Sequence, residues 1–346
     1  MLLLTGVHLW NILRDCPKGN GAMNTLNKNE CDLSIFRNVI PIERRESPTQ
    51  ADFEQLYLKP PGRPVILTDV AKSWPALSKW SFDFFSAKFG KQVVVVSDRL
   101  LHPTRTFRMP FSTFLGYCKS PNSNHLEKFG NPPLYLGFQP FANSPELLDD
   151  FSQPPVASCI YDGLTGDLYK WYVEHFGVIL IGSAGTVTLL HADLYGTHGW
   201  LAQICGRKHW LVFPPQDAAN LYQGKVDLLQ PDLEAFPKLR DAQPYEAVVS
   251  PGEVIFVPSG WYHHVVSLDP SISFGFNFVN QTNFLQHVLG ICRDLPKWTN
   301  RISSPGFREP LSISWTAADF TSPQISSPPD SNGAGKMGAE KNNGTL

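Results

Sequence analysis

Apolar residues alternate with polar ones, or run together in short blocks, through the middle of the chain, and both patterns predict β-strands. Glycine and proline separate the blocks at short intervals, which is typical of an antiparallel sandwich or jelly roll. The polar stretch KVDLLQPDLEAFPKLRDAQP predicts a surface excursion between two of the strands. The strand blocks lie between Gly177 and Asn280 and are GVILIGSAGTVTLLHADLYG, WLAQICG, KHWLVFPP, YEAVVSPGEVIFVPSG, WYHHVVSL and SISFGFNFV.

The preceding part of the chain mixes strand and helix patterns. Pro64 to Thr68 and the stretches KQVVVVSD and PLYLGFQPF predict strands. Trp80 to Gly90 predicts an amphipathic helix that Gly90 ends, and MPFSTFLGYC predicts a short helix capped near Ser112. SPELLDDF predicts a helical turn with Ser144 as its N-cap.

Both ends of the chain differ from this folded pattern. Residues 1–30 are polar and unpatterned after a short apolar start, which predicts a flexible N-terminal segment. NFLQHVLGICRDL predicts a helix after the last strand. From about Ser303 the chain is rich in Ser, Pro, Gly and Asn, a composition that predicts a disordered tail, which we begin at residue 299.

Composition supports a β-rich folded protein. Of the 346 residues 42% are hydrophobic and 17% charged, which is enough apolar material for a substantial core. Thirty prolines and 12% aromatic residues favour a loop-rich β architecture over a helical bundle. The net charge of −2 gives no whole-chain basic surface for nucleic acid, although a local basic patch stays open.

Cysteine usage and hydropathy indicate a compartment. The six cysteines are scattered, and none forms a C-x-x-C pair, so a zinc module is not predicted. They are typical of reduced thiols in a cytoplasmic and/or nuclear protein. No apolar run approaches 18 residues, so we expect no membrane span, and the N-terminus lacks the basic region of a signal peptide.

The stretch HADLYGTHGW brings ionisable residues into an apolar region. His191 and Asp193 are two residues apart, so on a strand they would point to the same face. Burying such side chains is costly unless they are paired or bind something. An H-x-D pair is a weak signal alone, but FVPSGWYHHVVSL adds His263 and His264 on a later strand. Two histidines and a carboxylate form the facial triad of non-haem Fe(II) oxygenases; histidines satisfied within the core are the alternative.

A longer part of the sequence resembles a known family. The text HADLYGTHGW…CGRKHWLVFPP…SPGEVIFVPSGWYHHVVSLDPSISFGFNFVN is similar to the JmjC (jumonji, cupin-like) Fe(II)- and 2-oxoglutarate-dependent oxygenases. The likeness is close from Ile179 to Phe284 and looser back to about Pro61. It implies a mainly β fold with a double-stranded β-helix (jelly-roll, cupin) core and flanking helices. The implied divisions are an N-terminal α+β part over residues 31–150 and the core with a C-terminal helix over 151–298.

The resemblance implies a ligand set for the metal. In the family the second metal histidine follows P-x-x-W-aromatic, which here indicates His263, with His264 facing away. The implied ligands of Fe(II), which would also be the catalytic residues, are His191, Asp193 and His263.

The resemblance also implies residues that bind the co-substrate. Lys208 in CGRKHW matches the family lysine for the distal carboxylate of 2-oxoglutarate; a lysine at the rim, reaching water, is the alternative. Thr188 matches a hydroxyl that often bonds the same carboxylate, and Asn277 matches a polar position near the metal; both could be ordinary strand residues. Leu201 departs from the family, since some relatives have an asparagine there that helps to hold 2-oxoglutarate.

The activity implied by the resemblance is that of a dioxygenase. It would convert 2-oxoglutarate and O₂ to succinate and CO₂ while it oxidises a C–H bond of a substrate. No chromatin-reading module is found, and the motifs are most similar to those of the JmjC-only hydroxylases, nearest to the lysyl hydroxylase type that acts on a translation release factor. We therefore expect a protein substrate. A JmjC demethylase, a tRNA-base hydroxylase, a cupin with other metal chemistry and a non-catalytic JmjC scaffold stay open, as does the oligomeric state.

Overall fold

The computed structural model describes residues 31–100, 103, 105–120 and 131–292. The predicted flexible segment over 1–30, the predicted tail from 299 and the last part of the predicted C-terminal helix lie outside these residues. In the part of the chain that is described, no helix is long and apolar enough to cross a membrane.

The described residues form fourteen strands and five short α-helices, with a further helical segment over 284–292. The strands are β1 (Ile40–Pro41), β2 (Glu43–Arg45), β3 (Val65–Leu67), β4 (Val93–Ser97), β5 (Thr106–Pro110), β6 (Tyr135–Phe138), β7 (Gly177–Gly182), β8 (Val187–Ala192), β9 (His198–Cys205), β10 (Lys208–Phe213), β11 (Tyr245–Val249), β12 (Val254–Val257), β13 (Tyr262–Ser267) and β14 (Ser271–Phe278). The helices are α1 (Gln50–Phe53), α2 (Pro75–Lys79), α3 (Phe82–Phe89), α4 (Phe111–Lys119) and α5 (Gly166–Phe176).

The strands form two sheets. The large sheet has the order β2-β3-β12-β9-β14-β7-β6-β4-β5, and the small sheet has the order β1-β11-β10-β13-β8. Strands β7 to β14 contribute four strands to each sheet, and these eight strands pair with one another in antiparallel fashion, whereas β1 joins β11 in parallel. This arrangement, with helices outside the sheets, confirms the predicted mainly β jelly-roll fold.

Both faces of the small sheet are covered, which explains why its strands are almost continuously apolar. In β10, Trp210 and Val212 pack between the two sheets, and Leu211 and Phe213 pack on the outer side. The polar insert between β10 and β11 covers that outer side with buried side chains that include Val226, Leu228 and Leu239. The predicted surface excursion is therefore in place, but it also closes a second hydrophobic cluster.

Strand β14 shows how the sequence leaves space inside the sandwich. Phe274 and Phe276 join the large cluster that the N-terminal helices cover. Ser273, Gly275 and Asn277 alternate with these phenylalanines along the strand and are small or polar. Because neighbouring residues of a strand point to opposite faces, the bulky side chains fill the outer layer and the small ones leave an internal cavity.

The helices agree only in part with the sequence. Helix α3 matches the prediction: Ser81 is its N-cap and accepts the Phe84 N–H, and Gly90 is its C-cap. Helix α4 begins at Phe111 directly after β5, so Ser112 lies inside the helix and the predicted cap near it is wrong. Pro110 is the last residue of β5, and its fixed φ angle suits the start of α4. Helix α5 has no counterpart among the sequence predictions.

Candidate active site

The residues of the predicted triad lie together at the end of the small sheet. His191 is in β8 and is the register partner of His263 in β13, and Asp193 follows β8 directly. The distance from Asp193 Oδ1 is 3.7 Å to His191 Nε2 and 3.8 Å to His263 Nε2. Neighbouring antiparallel strands thus bring together His191 and His263, which are 72 residues apart in sequence.

The two imidazole rings are oriented by the backbone. His191 Nδ1 donates to the Leu189 carbonyl at 2.8 Å, and His263 Nδ1 faces the Trp261 carbonyl at 3.4 Å. A carbonyl can only accept, so the proton belongs on Nδ1 and the lone pair of Nε2 faces Asp193. Such outer hydrogen bonds are typical of metal-binding histidines.

The spacing of the donor atoms fits a single metal ion. One ligand atom from each of the three residues lies within 4.8 Å of the others. Two ligand atoms about 2.1 Å from a common ion lie at most about 4.2 Å apart, and both measured separations from Asp193 are shorter than that. The set of two imidazoles and one carboxylate on one side of the ion fits Fe(II) with open positions.

The electrostatics favour the deprotonated forms of Asp193 and His263. Burial would raise the pKa of Asp193, but the neighbouring His263 and His191 lower it below its ordinary value. Burial, helped by His191, lowers the pKa of His263 to about 4. Burial would also lower the pKa of His191, but Asp193 beside it raises that pKa above its ordinary value. At neutral pH the carboxylate is ionised and His263 is a neutral donor.

His264 occupies the opposite face of β13, as the alternation predicts. Its side chain is 1% exposed, and neither ring nitrogen has a hydrogen-bond partner among the described residues. Burial lowers its pKa to about 3, although Asp227 in the insert acts in the other direction. It is a buried neutral imidazole that does not join the triad.

A cavity of about 160 Å³ connects the triad with Lys208 between the two sheets. Lys208 is 1% exposed, and its Nζ donates to Ser273 Oγ at 2.7 Å and to Tyr135 Oη at 3.0 Å. No carboxylate forms an ion pair with it in the described part of the chain. A buried ammonium with two neutral partners is suited to an anionic ligand, and the rim position considered for this lysine is wrong.

The weaker candidates also line this cavity. Thr188 lies near the lysine end and donates to Tyr135 Oη at 3.4 Å. Asn277 donates to Thr197 Oγ1 at 2.7 Å, and a hydrogen bond from Asn277 contributes to the lowered pKa of Asp193. Leu201 lines the wall of the cavity, so an apolar side chain occupies the position at which some members of the family have an asparagine.

Sequence reasoning missed the partners of Lys208. Ser273 could have been found, because it shares the inward face of β14 with Asn277 at a separation of four residues. Tyr135 lies 73 residues from Lys208 and belongs to no local motif that predicts the contact. Trp210 was also missed: its ring stacks against His263 at 5.8 Å, and its buried Nε1 has no partner in the described residues.

Two clefts open from the triad towards the surface. The wider one, about 1040 Å³, is bordered by the loop that carries Lys225 and Asp227. The other, about 550 Å³, is bordered by α5 and the helical segment over 284–292. Both reach His191 and Asp193, and Leu194, which is 68% exposed, stands between them.

Comparison with known proteins gives one family and several curated relatives. The profile of the cupin-like domain matches residues 50–284. A chicken protein named 2-oxoglutarate and iron-dependent oxygenase JMJD4 is 29% identical over 74% of this chain and 66% of its own length. Two Arabidopsis thaliana proteins are also similar: lysine-specific demethylase JMJ21, 30% identical over 73% of this chain and 28% of its own length, and arginine-specific demethylase JMJ20, 27% identical over 67% and 55%.

The match therefore spans between 28% and 66% of the length of these three relatives. The match to the family profile, over residues 50–284, includes every strand from β3 to β14. The names of the two Arabidopsis relatives specify demethylation of lysine and of arginine, whereas the name of the chicken relative states iron and 2-oxoglutarate dependence and no target residue.

Proposed function

The chain belongs to the cupin-like family of JmjC proteins, and from this premise we propose that it is an Fe(II)- and 2-oxoglutarate-dependent dioxygenase. The observation that carries the proposal is a single cavity with a facial triad at one end and an unpaired buried ammonium at the other. The name of the chicken relative contains iron, which fits the triad, and 2-oxoglutarate, an anion that fits the end with the ammonium.

The residues of the chain have separate tasks in this reaction. His191, Asp193 and His263 hold the iron. When bound with 2-oxoglutarate, the iron supplies the activation of O₂ that oxidises a substrate C–H bond. The cavity walls exclude water, and the open side of the triad faces the clefts in which a substrate can lie.

The other end of the cavity orients the co-substrate. We assign Lys208 to the distal carboxylate of 2-oxoglutarate, with Ser273 and Tyr135 positioning the ammonium. Thr188 is close enough to Tyr135 to take part in the same hydrogen-bond network. Asn277 acts at the metal end, where it contacts Asp193 and Thr197.

We propose hydroxylation of a protein side chain as the reaction, with the lysyl hydroxylase type favoured. The motif likeness to that type and the oxygenase name of the chicken relative support this choice. Demethylation is the main alternative, because both Arabidopsis relatives are named demethylases. A tRNA-base hydroxylase and a non-catalytic scaffold remain as outcomes of the tests. We propose a cytoplasmic and/or nuclear location, which the free thiols Cys31, Cys118, Cys159 and Cys292 support, whereas Cys205 forms a disulfide, contrary to the expectation that every cysteine is reduced.

Succinate release from 2-oxoglutarate, measured with and without added Fe(II), tests the activity. Iron-dependent release is expected from the wild-type protein. His263→Ala should abolish it, whereas His264→Ala, the matched neighbour on the opposite face of β13, should retain it. Release that is independent of iron would favour another cupin chemistry, and no release at all would favour a scaffold.

The substrate is tested by trapping with His191→Ala, which should keep the clefts but lose the metal. Captured proteins and RNA are then incubated with the wild-type enzyme and examined by mass spectrometry. A gain of one oxygen on a protein side chain supports the hydroxylase proposal. Loss of a methyl group, or a gain of oxygen on a tRNA base, would replace it with one of the two alternatives.

A further inference from the structure

The narrower of the two clefts at the triad has aromatic walls. We call it the aromatic chamber and define it by Trp171 and Phe176 of α5, Tyr195, His287 and Asp193. Its volume is about 550 Å³, and Trp171 lies at its exposed edge. The chamber reaches Asp193 directly, so a side chain inside it would lie beside the metal ligands.

The rings form a corner rather than a flat stack. The planes of Trp171 and Phe176 meet at 61° with 5.7 Å between their centroids, and those of Phe176 and His287 also meet at 61° with 6.3 Å. His175 stacks on Trp171 at 5.1 Å and is held there by its own hydrogen bond to the Trp171 carbonyl. Trp171 is therefore supported in place although it is 40% exposed.

The chamber carries almost no charge. Among its described lining residues, Asp193 is the one carboxylate, and neither lysine nor arginine occurs. His287 adds no free polar group, because its Nδ1 donates to the Tyr195 carbonyl at 2.9 Å and its Nε2 accepts from the Tyr161 hydroxyl at 2.8 Å.

The wider cleft on the other side of Leu194 differs in this respect. Its border includes Lys225 and Asp227, both exposed, together with Gln223. Charged and polar parts of a substrate find partners there, whereas the one carboxylate that a free ammonium would meet in the aromatic chamber is Asp193, a proposed metal ligand.

We infer that the aromatic chamber receives an uncharged, apolar side chain of the substrate and holds it beside the metal. The inference rests on the proposed function, since it names the chemistry of a substrate group at the same site. Apolar surface is favoured in contact with aromatic walls. A free lysine ammonium of the substrate then belongs in the wider cleft and not in the chamber.

Paramagnetic relaxation in the full-length protein tests this inference. Mn(II) replaces Fe(II), 2-oxoglutarate is present, and metal binding is first checked by water-proton relaxation. The probes are N-acetyl-norleucinamide and N-acetyl-lysinamide, whose side chains are similar in length but differ in charge. Line broadening of the side-chain protons reports binding near the metal. We expect Trp171→Ala to reduce the broadening of the norleucine probe and to leave unchanged any broadening of the lysine probe, which the wider cleft can hold.

Two variants of α5 identify the chamber as the place of binding. Trp171→Ala should weaken norleucine-probe binding about fivefold or more, while Leu168→Ala, at an exposed position of the same helix, should leave it unchanged. Water-proton relaxation should show that both variants still bind Mn(II).

Three results would overturn the inference: equal loss of broadening of the two probes in Trp171→Ala, no effect of Trp171→Ala on the norleucine probe, or no broadening of either probe although Mn(II) is bound. The last would leave the metal centre intact. Failure of the wild-type protein to bind Mn(II) would instead remove the proposed function and the inference with it.

Discussion

At the scale of single residues, the buried ammonium of Lys208 is the most demanding feature of the cavity. Two neutral hydroxyls contact it, and a charge in such surroundings is stabilised most by an opposite charge. The CGRKHW motif indicated this lysine, because a local sequence signature carries it. Tyr135 could not be predicted in the same way, since only the packing of β6 beside β7 brings it to the site.

Lys208→Ala should raise the Michaelis constant for 2-oxoglutarate about tenfold or more, because a charge-assisted hydrogen bond contributes about 1.5–3 kcal/mol. Lys208→Arg should restore affinity only in part, since the planar guanidinium does not fit a site for a compact cation. Steady-state kinetics with varied 2-oxoglutarate measure both. Lys225→Ala at the exposed edge of the wider cleft is the control, and an unchanged constant in Lys208→Ala would refute the assignment.

His264 should make the stability of the protein depend on pH. An unfolded histidine takes up a proton near pH 6.5, whereas burial holds the pKa of His264 at about 3 in the folded state. The unfolded state therefore binds more protons below pH 6.5, and stability is lost as the pH falls from there towards 3.

Denaturant unfolding of the wild type and of His264→Leu at pH 7.5 and 5.5 measures this loss. Between these values the wild type should lose about 1.4 kcal/mol more than the variant, the equivalent of one pH unit below pH 6.5. Equal losses in the wild type and His264→Leu would show that the ring is protonated in the folded protein.

At the scale of elements, close packing joins the helical segment over 284–292 to the turn after Asp193. A Cβ added to Gly290 would lie 2.8 Å from Tyr195 Cα, and one added to Gly196 would lie 3.0 Å from the Gln286 backbone. The two glycines let the helix and the turn approach each other. His287 and Asn283 add hydrogen bonds to the Tyr195 and Gly196 carbonyls.

Gly290→Ala should destabilise the protein by about 1–3 kcal/mol, because backbone atoms must move to accept the methyl group. Because the turn continues from Asp193, Mn(II) affinity should fall as well. Gly116→Ala in α4 is the matched control: nothing lies within 4 Å of its added Cβ, and alanine is the better helix former. Thermal unfolding and Mn(II) titration measure both variants; a Gly290→Ala protein that matches Gly116→Ala would exclude this role of the packing.

The elements also show where sequence patterns lose information. Helix α3 was predictable because a serine cap and a terminal glycine frame one apolar face. Helix α5 was missed although Leu168, Trp171, Tyr172 and Phe176 follow the i, i+3, i+4, i+8 spacing of a helix. Because Leu168 and Trp171 are exposed while Tyr172 and Phe176 are buried, the spacing alone does not tell which part of this apolar stripe faces the core and which part forms the outer wall of the aromatic chamber.

At the scale of the whole molecule, the site is complete only when the two sheets pack together. The triad and Lys208 come from the small sheet, and Ser273 and Tyr135 come from the large one. The alternating strands and their turns predicted the jelly roll, and the motif spacing predicted the triad. The cavity could not be predicted, because its shape depends on the register of β14 and β9 and on side chains distant in sequence.

Ligands that require both sheets should stabilise the whole fold. Mn(II) and 2-oxoglutarate, each at about 100 times its dissociation constant, should each add about 2.7 kcal/mol to the free energy of unfolding. The reason is that the unfolded chain has no assembled site. Lys208→Ala should keep the increment from Mn(II) and lose most of that from 2-oxoglutarate. Denaturant titrations with each ligand measure this, and equal increments in the two proteins would refute the two-ended cavity.

Iron-dependent succinate release is the most direct test of the central claim that this cavity is the active site of a 2-oxoglutarate oxygenase. The assay compares the wild type with Asp193→Ala and with His264→Ala, which changes a buried residue outside the triad. The account predicts release that requires Fe(II) in the wild type and in His264→Ala, and none above background in Asp193→Ala. Equal release from folded wild-type and Asp193→Ala proteins would contradict it.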